Sequence, residues 1–501
     1  MAPRPVSRQA RLTRPRTRRE RDSLGEKAVP ADALHGIFTE RARETFQLSG
    51  LRAHPAYIRA LGLIKLAAAR TNRRLSLLPA RLARAIERAA ARVAANELDR
   101  AFVLDVFQAG AGTPHHMNAN EVIANLANEA LGGRRGVYAP VHPNDHVNLG
   151  QSSNDVTPAA VRLAALALLR PLEAEVRALE ASWRRLARTY RTTVKPGRTH
   201  LQDAVPITYG QVFEGYAEAL AADRARLAAA GAELSVLGLG GTAVGTGITA
   251  HPRFAAGVVR ELARLTGERL RPAPSRVAAT WSMTPLLGAS GAARALAADL
   301  AKICRDLRLL ASGPHAGLGE LVLPAVEPGS SIMPGKVNPS VPEAVEMACY
   351  QVCGNDAACL HAAIAGELEL NVMTPLLAFD LSGSLDLLAR ALRLLRAKCV
   401  DGLRVDRARV RALMERSLVL GTALSPYLGY AMVAELVKEA LATGRPLRAV
   451  VRAHDLVPER LLDRILDPLA VTRPTRPDPG VVAGIRRRPA YAACRRRFGL
   501  P

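Results

Sequence analysis

Apolar residues recur at three- and four-residue steps over long parts of the chain. Leu172, Val176, Leu179, Trp183, Leu186 and Tyr190 make one such stripe, and Leu300, Ile303, Leu307 and Leu310 make another. Both predict helices with one buried face. The stretch at 78–98, LPARLARAIERAAARVAANEL, keeps the same period with an alanine-rich filling that favours helix. Alternating strand-like runs are sparse and no repeated βα unit is visible. The pattern therefore predicts an all-α chain, with long central helices in a bundle and shorter ones towards each end.

Four polar, glycine-rich patches interrupt that pattern: AGAGTPHHMNANE at 109–121, HPNDHVNLGQSSND at 142–155, PGRTHLQDAVP at 196–206 and GSSIMPGKVNP at 329–339. Irregular islands between rigid helices are where functional sites tend to lie. A fifth patch, GLGGTAVGTG at 238–247, lacks the Gly-Lys-Ser/Thr ending of a phosphate loop and follows no strand pattern. It reads as a turn that permits close helix approach.

With 501 residues, 49% of them hydrophobic, the chain can bury a sizeable core in two or three domains. A formal net charge of +24 points on its face to nucleic acid or an anionic membrane. The distribution of charge weakens that reading. Seven basic residues are lysines and the rest arginines, a skew that follows base composition rather than a binding surface, and much of the excess sits at the ends. A basic extension at 1–20 and a basic tail at 473–501 are expected to be disordered or loosely docked. The extension also resembles a transit peptide, although its prolines and scarce apolar residues spoil the amphipathic helix one needs. No run of about 18 uncharged apolar residues predicts a membrane span. No secretory signal stretch is visible either, so a cytoplasmic protein is expected.

Cysteines 304, 349, 353, 359, 399 and 494 form no CxxC pair and have no histidine partners at zinc-like spacing. They read as reduced, buried thiols, and no metal site is predicted.

The patches offer Thr113, Ser152, Ser153, Asn154, Thr199, His200, Ser330, Ser331, Lys336 and Asn338. Hydroxyls and amides with one histidine and one lysine suit a small anionic substrate, because they hydrogen-bond carboxylate oxygens and supply compact positive charge. A metal would want clustered Asp, Glu, His or Cys. No GxSxG elbow surrounds Ser330, which makes it a poor hydrolase nucleophile. A serine beside a lysine and glycine amides can instead have its alkoxide stabilised and act as a base on a proton next to a carboxylate.

GSSIMPGKVNP resembles the signature of the fumarase/aspartase superfamily, whose members eliminate a group from a succinyl skeleton and release fumarate. QSSND, GRTHLQDAVP and AGT with MNANEV follow in the family's order, and the similarity runs from about residue 20 to about residue 472. The resemblance implies an all-α, three-domain fold with a central bundle of long helices: 21–151, 152–405 and a small C-terminal domain at 406–472. It implies Ser330 as the general base for the C3 proton, on a loop that closes over substrate. Lys336 and Asn338 would hold the carboxylate that becomes an aci-carboxylate. Thr113, Ser152, Ser153, Asn154 and Thr199 would bind the other carboxylate and the departing group, with Ser331 assisting. His200 would sit near that group, oriented in some members by an acid that matches Glu343. His142, Asn144 and Asp145 resemble a second, non-catalytic dicarboxylate site, although HPND also makes a good helix cap or turn. His115 and His116 stand where the family has a polar uncharged pair, which implies an altered pocket.

The loop has Val337 where argininosuccinate and adenylosuccinate lyases carry a basic residue, so a C4 substrate is preferred. NPSVPEAVE, AGAGT, LQDAVPI and AGELELNVM resemble aspartases; QSSND, GGTAVGTG and TALSPYLGY resemble fumarases, which place serine at position 153 where aspartases usually have threonine. The expectation is an aspartate ammonia-lyase, with a class II fumarate hydratase as the alternative. A catalytically silent binding homologue, or a nucleic-acid binder using its tails, is the remote alternative; the tails lack the interleaved aromatics of a single-strand binder. The resemblance further implies a homotetramer whose active sites draw on three subunits. No cofactor is implied, although aspartases can be activated by divalent cations.

Overall fold

The computed structural model describes residues 16–501, so most of the basic extension lies outside the described residues. Five helices of 25 residues or more dominate: Ser153–Thr189, Tyr209–Leu234, Thr284–Leu310, Ser340–Ile364 and Thr374–Lys398. Strands among the described residues are confined to four two-stranded pairs. The expected all-α class holds. All ten residues of the two apolar stripes are buried, and the alanine-rich stretch forms the helix Ala80–Ala94. Among the described residues no helix is long and apolar enough to cross a membrane.

Packing divides the chain into two compact units. One comprises the described residues up to 174 with 225–297 and 349–389; the other comprises 175–224, 298–348 and 390–501. The three-domain division expected above follows the resemblance rather than this grouping.

In the first unit, Tyr57, Ile58, Leu61 and Ile64 from the helix Pro55–Arg74 are buried, as are Ile86 from Ala80–Ala94 and Val122 and Ile123 from Thr113–Ala130. Glu121 is buried among them, and its carboxylate accepts from the amides of Gly36, Phe38 and Thr39 and from the Thr39 hydroxyl. It thereby satisfies orphan N–H groups at the start of the helix Ile37–Thr45. Upstream, Thr17–Asp22 pairs antiparallel with Gly25–Pro30, so the end of the expected extension is an ordered strand. The glycine patch at 238–247 is a turn folded around Asp155, whose Oδ2 accepts from the amides of Gly240 and Thr242. Gly245 has φ +90°, and a Cβ there would lie 2.3 Å from Val277 Cα. The close approach that the sequence suggested is therefore a steric requirement.

In the second unit, Trp183 and Phe213 stack at 5.3 Å between ring centres, with Tyr209 and Tyr216 against the same rings. A further core gathers Leu424, Leu436, Val450, Leu456, Leu462, Ile485 and Cys494. The last two belong to the helices Pro479–Arg486 and Pro489–Arg497. The segment expected as a loose basic tail is thus folded, because Ile485 and Cys494 put an apolar side against this core while the arginines face outward. The six cysteines are all buried except half-buried Cys353.

Candidate active site

The candidate residues fall into both units, and each set is built differently. In the first unit, Thr113, Ser152, Ser153, His142 and Asn144 line one cavity of about 950 Å³. Gly110, Ala111 and Gly112 take φ of 64°, 53° and 82° in succession. This left-handed run turns the chain sharply into the helix Thr113–Ala130 and leaves Thr113 at its first position. Ala111 has a side chain, so its conformation costs about 1 kcal/mol. Ser153 begins the helix Ser153–Thr189. Two helix N-termini, each the positive end of its dipole, therefore border the same cavity. That is a suitable environment for a carboxylate.

The neighbouring histidines separate. His115 turns away to Gln108 and the Tyr57 ring, and burial pushes it down to about 4. His116 faces the cavity: its Nδ1 lies 2.9 Å from Ser153 Oγ and its Nε2 lies 2.5 Å from Lys65 Nζ. Burial, then the Lys65 charge, hold His116 well below the usual imidazole range. Sequence reasoning missed Lys65 because it sits within the apolar run ALGLIKLAAA of its helix, 51 residues from its partner. Its signal was a lone lysine in that helix, in a chain that spells nearly every cation as arginine.

Asn154 lies outside that cavity lining. Its side chain donates to the carbonyl of Ala243 at 2.8 Å and so holds the glycine turn. His142 caps its own short turn, Pro143–Val147, with Nδ1 accepting from the amides of Asn144 and Asp145 at 3.2 and 3.3 Å. Asn144 and Asp145 are exposed.

In the second unit, Val194–Thr199 and Gln202–Thr208 form a hairpin closed by His200 and Leu201, at φ 54° and 62°. Thr199 and His200 stand exposed at its tip. The hairpin is anchored by fully buried Glu320, which pairs with Lys195 at 2.9 Å and Arg198 at 2.6 Å and accepts from the Tyr209 hydroxyl at 2.7 Å. Burial lowers the Lys195 ammonium, and the Glu320 charge opposes that shift.

The GSSIMPGKVNP stretch forms a stapled loop. Gly329 N donates to the carbonyl of Lys336 at 2.8 Å, and Asn338 Nδ2 donates to the carbonyl of Gly329 at 2.7 Å. A Cβ on Gly329 would lie 2.7 Å from Asn338 N, so only glycine fits the staple. Inside the loop, Ser330 Oγ accepts from the amides of Ile332 and Met333 at 3.2 and 3.0 Å. Ser331 and Lys336 are exposed, and half-buried Glu343 lies in the first turn of Ser340–Ile364. No hydrogen bond among the described residues joins this loop to the hairpin tip. Nor is any group of three or more His, Cys, Asp or Glu among them placed to hold a metal ion.

Long helices carrying hydroxyl-rich loops of this kind have counterparts among known lyases. A family described as Lyase matches residues 25–354, and one described as Fumarase C C-terminus matches 420–473. The chain is 46% identical to an aspartate ammonia-lyase of Pseudomonas fluorescens, over 90% of this chain and 95% of that protein. It is also 46% identical to a class II fumarate hydratase of Bradyrhizobium diazoefficiens, over 93% of this chain and 99% of that protein. A crystal structure of a fumarate lyase:delta crystallin from Brucella melitensis bound to cobalt superposes with a TM-score of 0.88 at 47% identity, covering 92% of this chain and all of that one. The chain belongs to the fumarase/aspartase superfamily of lyases. Its relatives divide between ammonia and water as the group released.

Proposed function

We propose that this lyase eliminates ammonia from L-aspartate to give fumarate. Ser330 Oγ takes the C3 proton, and the electron pair of that bond moves into the adjacent carboxylate as an aci-carboxylate. The pair then forms the C2–C3 double bond as the C2–N bond breaks on the opposite face and its electrons leave with ammonia. The observation carrying this reading is the pair of main-chain N–H groups aimed at Ser330 Oγ, which stabilise an alkoxide there as they would an oxyanion. Lys336 and Asn338 follow on the same loop and would hold the aci-carboxylate, while Thr113, Ser152 and Ser153 would hold the second carboxylate between the two helix ends. Thr199, His200, Ser331 and Glu343 would complete the site in a homotetramer that draws on neighbouring subunits. The exposure of the hairpin tip in one chain supports that arrangement. The scheme uses no cofactor.

Release of water from L-malate is the second reading. Serine at position 153 favours it, together with the equal identity to the Bradyrhizobium hydratase. The test is fumarate formation, followed by its ultraviolet absorbance, when purified protein meets L-aspartate or L-malate separately. Signal with malate alone overturns the ammonia reading; silence with both overturns the lyase activity itself.

A further inference from the structure

Lys65 is 1% exposed. Its nitrogen has three acceptors: His116 Nε2 at 2.5 Å, Asn148 Oδ1 at 3.0 Å and Gln151 Oε1 at 2.9 Å. That is one acceptor for each N–H of an ammonium. The two amides are not free to flip, because Asn148 Nδ2 donates to the carbonyl of Gln151 and Gln151 Nε2 to that of Val147. Burial lowers the Lys65 ammonium well below its usual range, and the charge of buried Asp155, with the three acceptors, opposes that shift. An imidazole that accepts at Nε2 carries its hydrogen on Nδ1. His116 therefore donates from Nδ1 to Ser153 Oγ, which lies 2.9 Å away. With one lone pair of Ser153 so occupied, its own hydrogen turns into the cavity.

We propose that Lys65 and His116 are positioning residues that fix the Ser153 hydroxyl as a hydrogen-bond donor to a substrate carboxylate. The inference rests on the reading that the cavity takes a dicarboxylate. A carboxylate offers acceptors alone, so a Ser153 hydrogen spent on the imidazole would leave lone pairs facing lone pairs. The buried cation strengthens the donor by polarising the chain of hydrogen bonds between them.

The test compares His116→Leu, which breaks the chain, with His116→Gln, whose carbonyl can accept from Lys65 and whose amide can donate to Ser153. Substrate KM and the inhibition constant of succinate, which has no leaving group, are measured together with kcat. His116→Leu is expected to raise KM and the succinate constant in parallel by roughly ten- to a hundredfold, the size of one charge-assisted hydrogen bond, with a smaller change in kcat. His116→Gln should restore most of the binding. Unmoved constants in His116→Leu, or a Gln variant as weak as the Leu one, overturn the relay. The unmodified protein supplies a second check that needs no variant: nitrogen NMR should find His116 neutral with hydrogen on Nδ1, and the Nε2–H tautomer overturns the inference. Failure of the unmodified protein to bind succinate overturns the underlying dicarboxylate reading, which is distinct from binding that His116→Leu leaves unchanged.

Discussion

Replacing Glu320 by alanine removes the anchor of the hairpin that carries Thr199 and His200. The Glu320 side chain is 0% exposed, and its partners Lys195 and Arg198 are 7% and 14% exposed, so the substitution strands two largely desolvated cations and a buried tyrosine hydroxyl. Breaking a buried pair from one side costs about 3–5 kcal/mol, because the remaining charge has no counter-ion. If that cost falls on local opening of the hairpin, backbone hydrogen exchange across 194–208 should accelerate by roughly a hundredfold or more, at about 1.4 kcal/mol per factor of ten. Exchange mass spectrometry of that peptide reads the effect directly. Turnover should fall with it, since Thr199 and His200 lose their fixed position. Glu320→Gln keeps an acceptor for Tyr209 but not the charge, and should lie between the two. Exchange within about threefold of the unmodified protein would refute the anchoring role, because even one lost hydrogen bond to a charged group costs more than that.

Ser330→Ala should lower kcat by about 10²–10⁴-fold, the usual contribution of a positioned base, and leave the thermal transition nearly unmoved because the loop is exposed. Retained turnover in that variant would refute the base assignment. Burial raises Glu121 from 4.5 to about 7 despite its four donors. A carboxylic acid whose folded value lies above its unfolded one binds more protons when folded, so its contribution to stability is greatest below about 4.5 and is lost as pH rises through about 7, a change of about 3 kcal/mol. Denaturant unfolding over that window should therefore decline more steeply in the unmodified protein than in Glu121→Gln, and parallel slopes would contradict the shift.

The helices and the irregular patches were legible in the sequence because both rest on local rules. The stripes from Leu172 to Tyr190 and from Leu300 to Leu310 follow the helical period, and GSSIMPGKVNP announces its break through two glycines and two prolines. The hairpin was read as an irregular patch. Its turn residues, His200 and Leu201, sit in left-handed conformations that Asn-Gly would have advertised and that these side chains do not. The C-terminal helices were hidden because the arginine clusters around Ile485 and Cys494 dominate the composition while those two residues do the packing. Lys65 and His116 needed three dimensions, since no spacing rule joins a helix residue to a histidine 51 positions later. Nor do linkers mark two units that each draw on three separate segments.

Proton abstraction at C3 with departure from the opposite face is the central chemical claim, and the reverse reaction tests it most directly. The protein is incubated with fumarate and ammonium in heavy water, and the product is examined by proton NMR. The expected product is L-aspartate bearing a single deuterium at C3, on the face opposite the nitrogen, with no incorporation by Ser330→Ala. Deuterium at both C3 positions, or no amino acid at all, would contradict it.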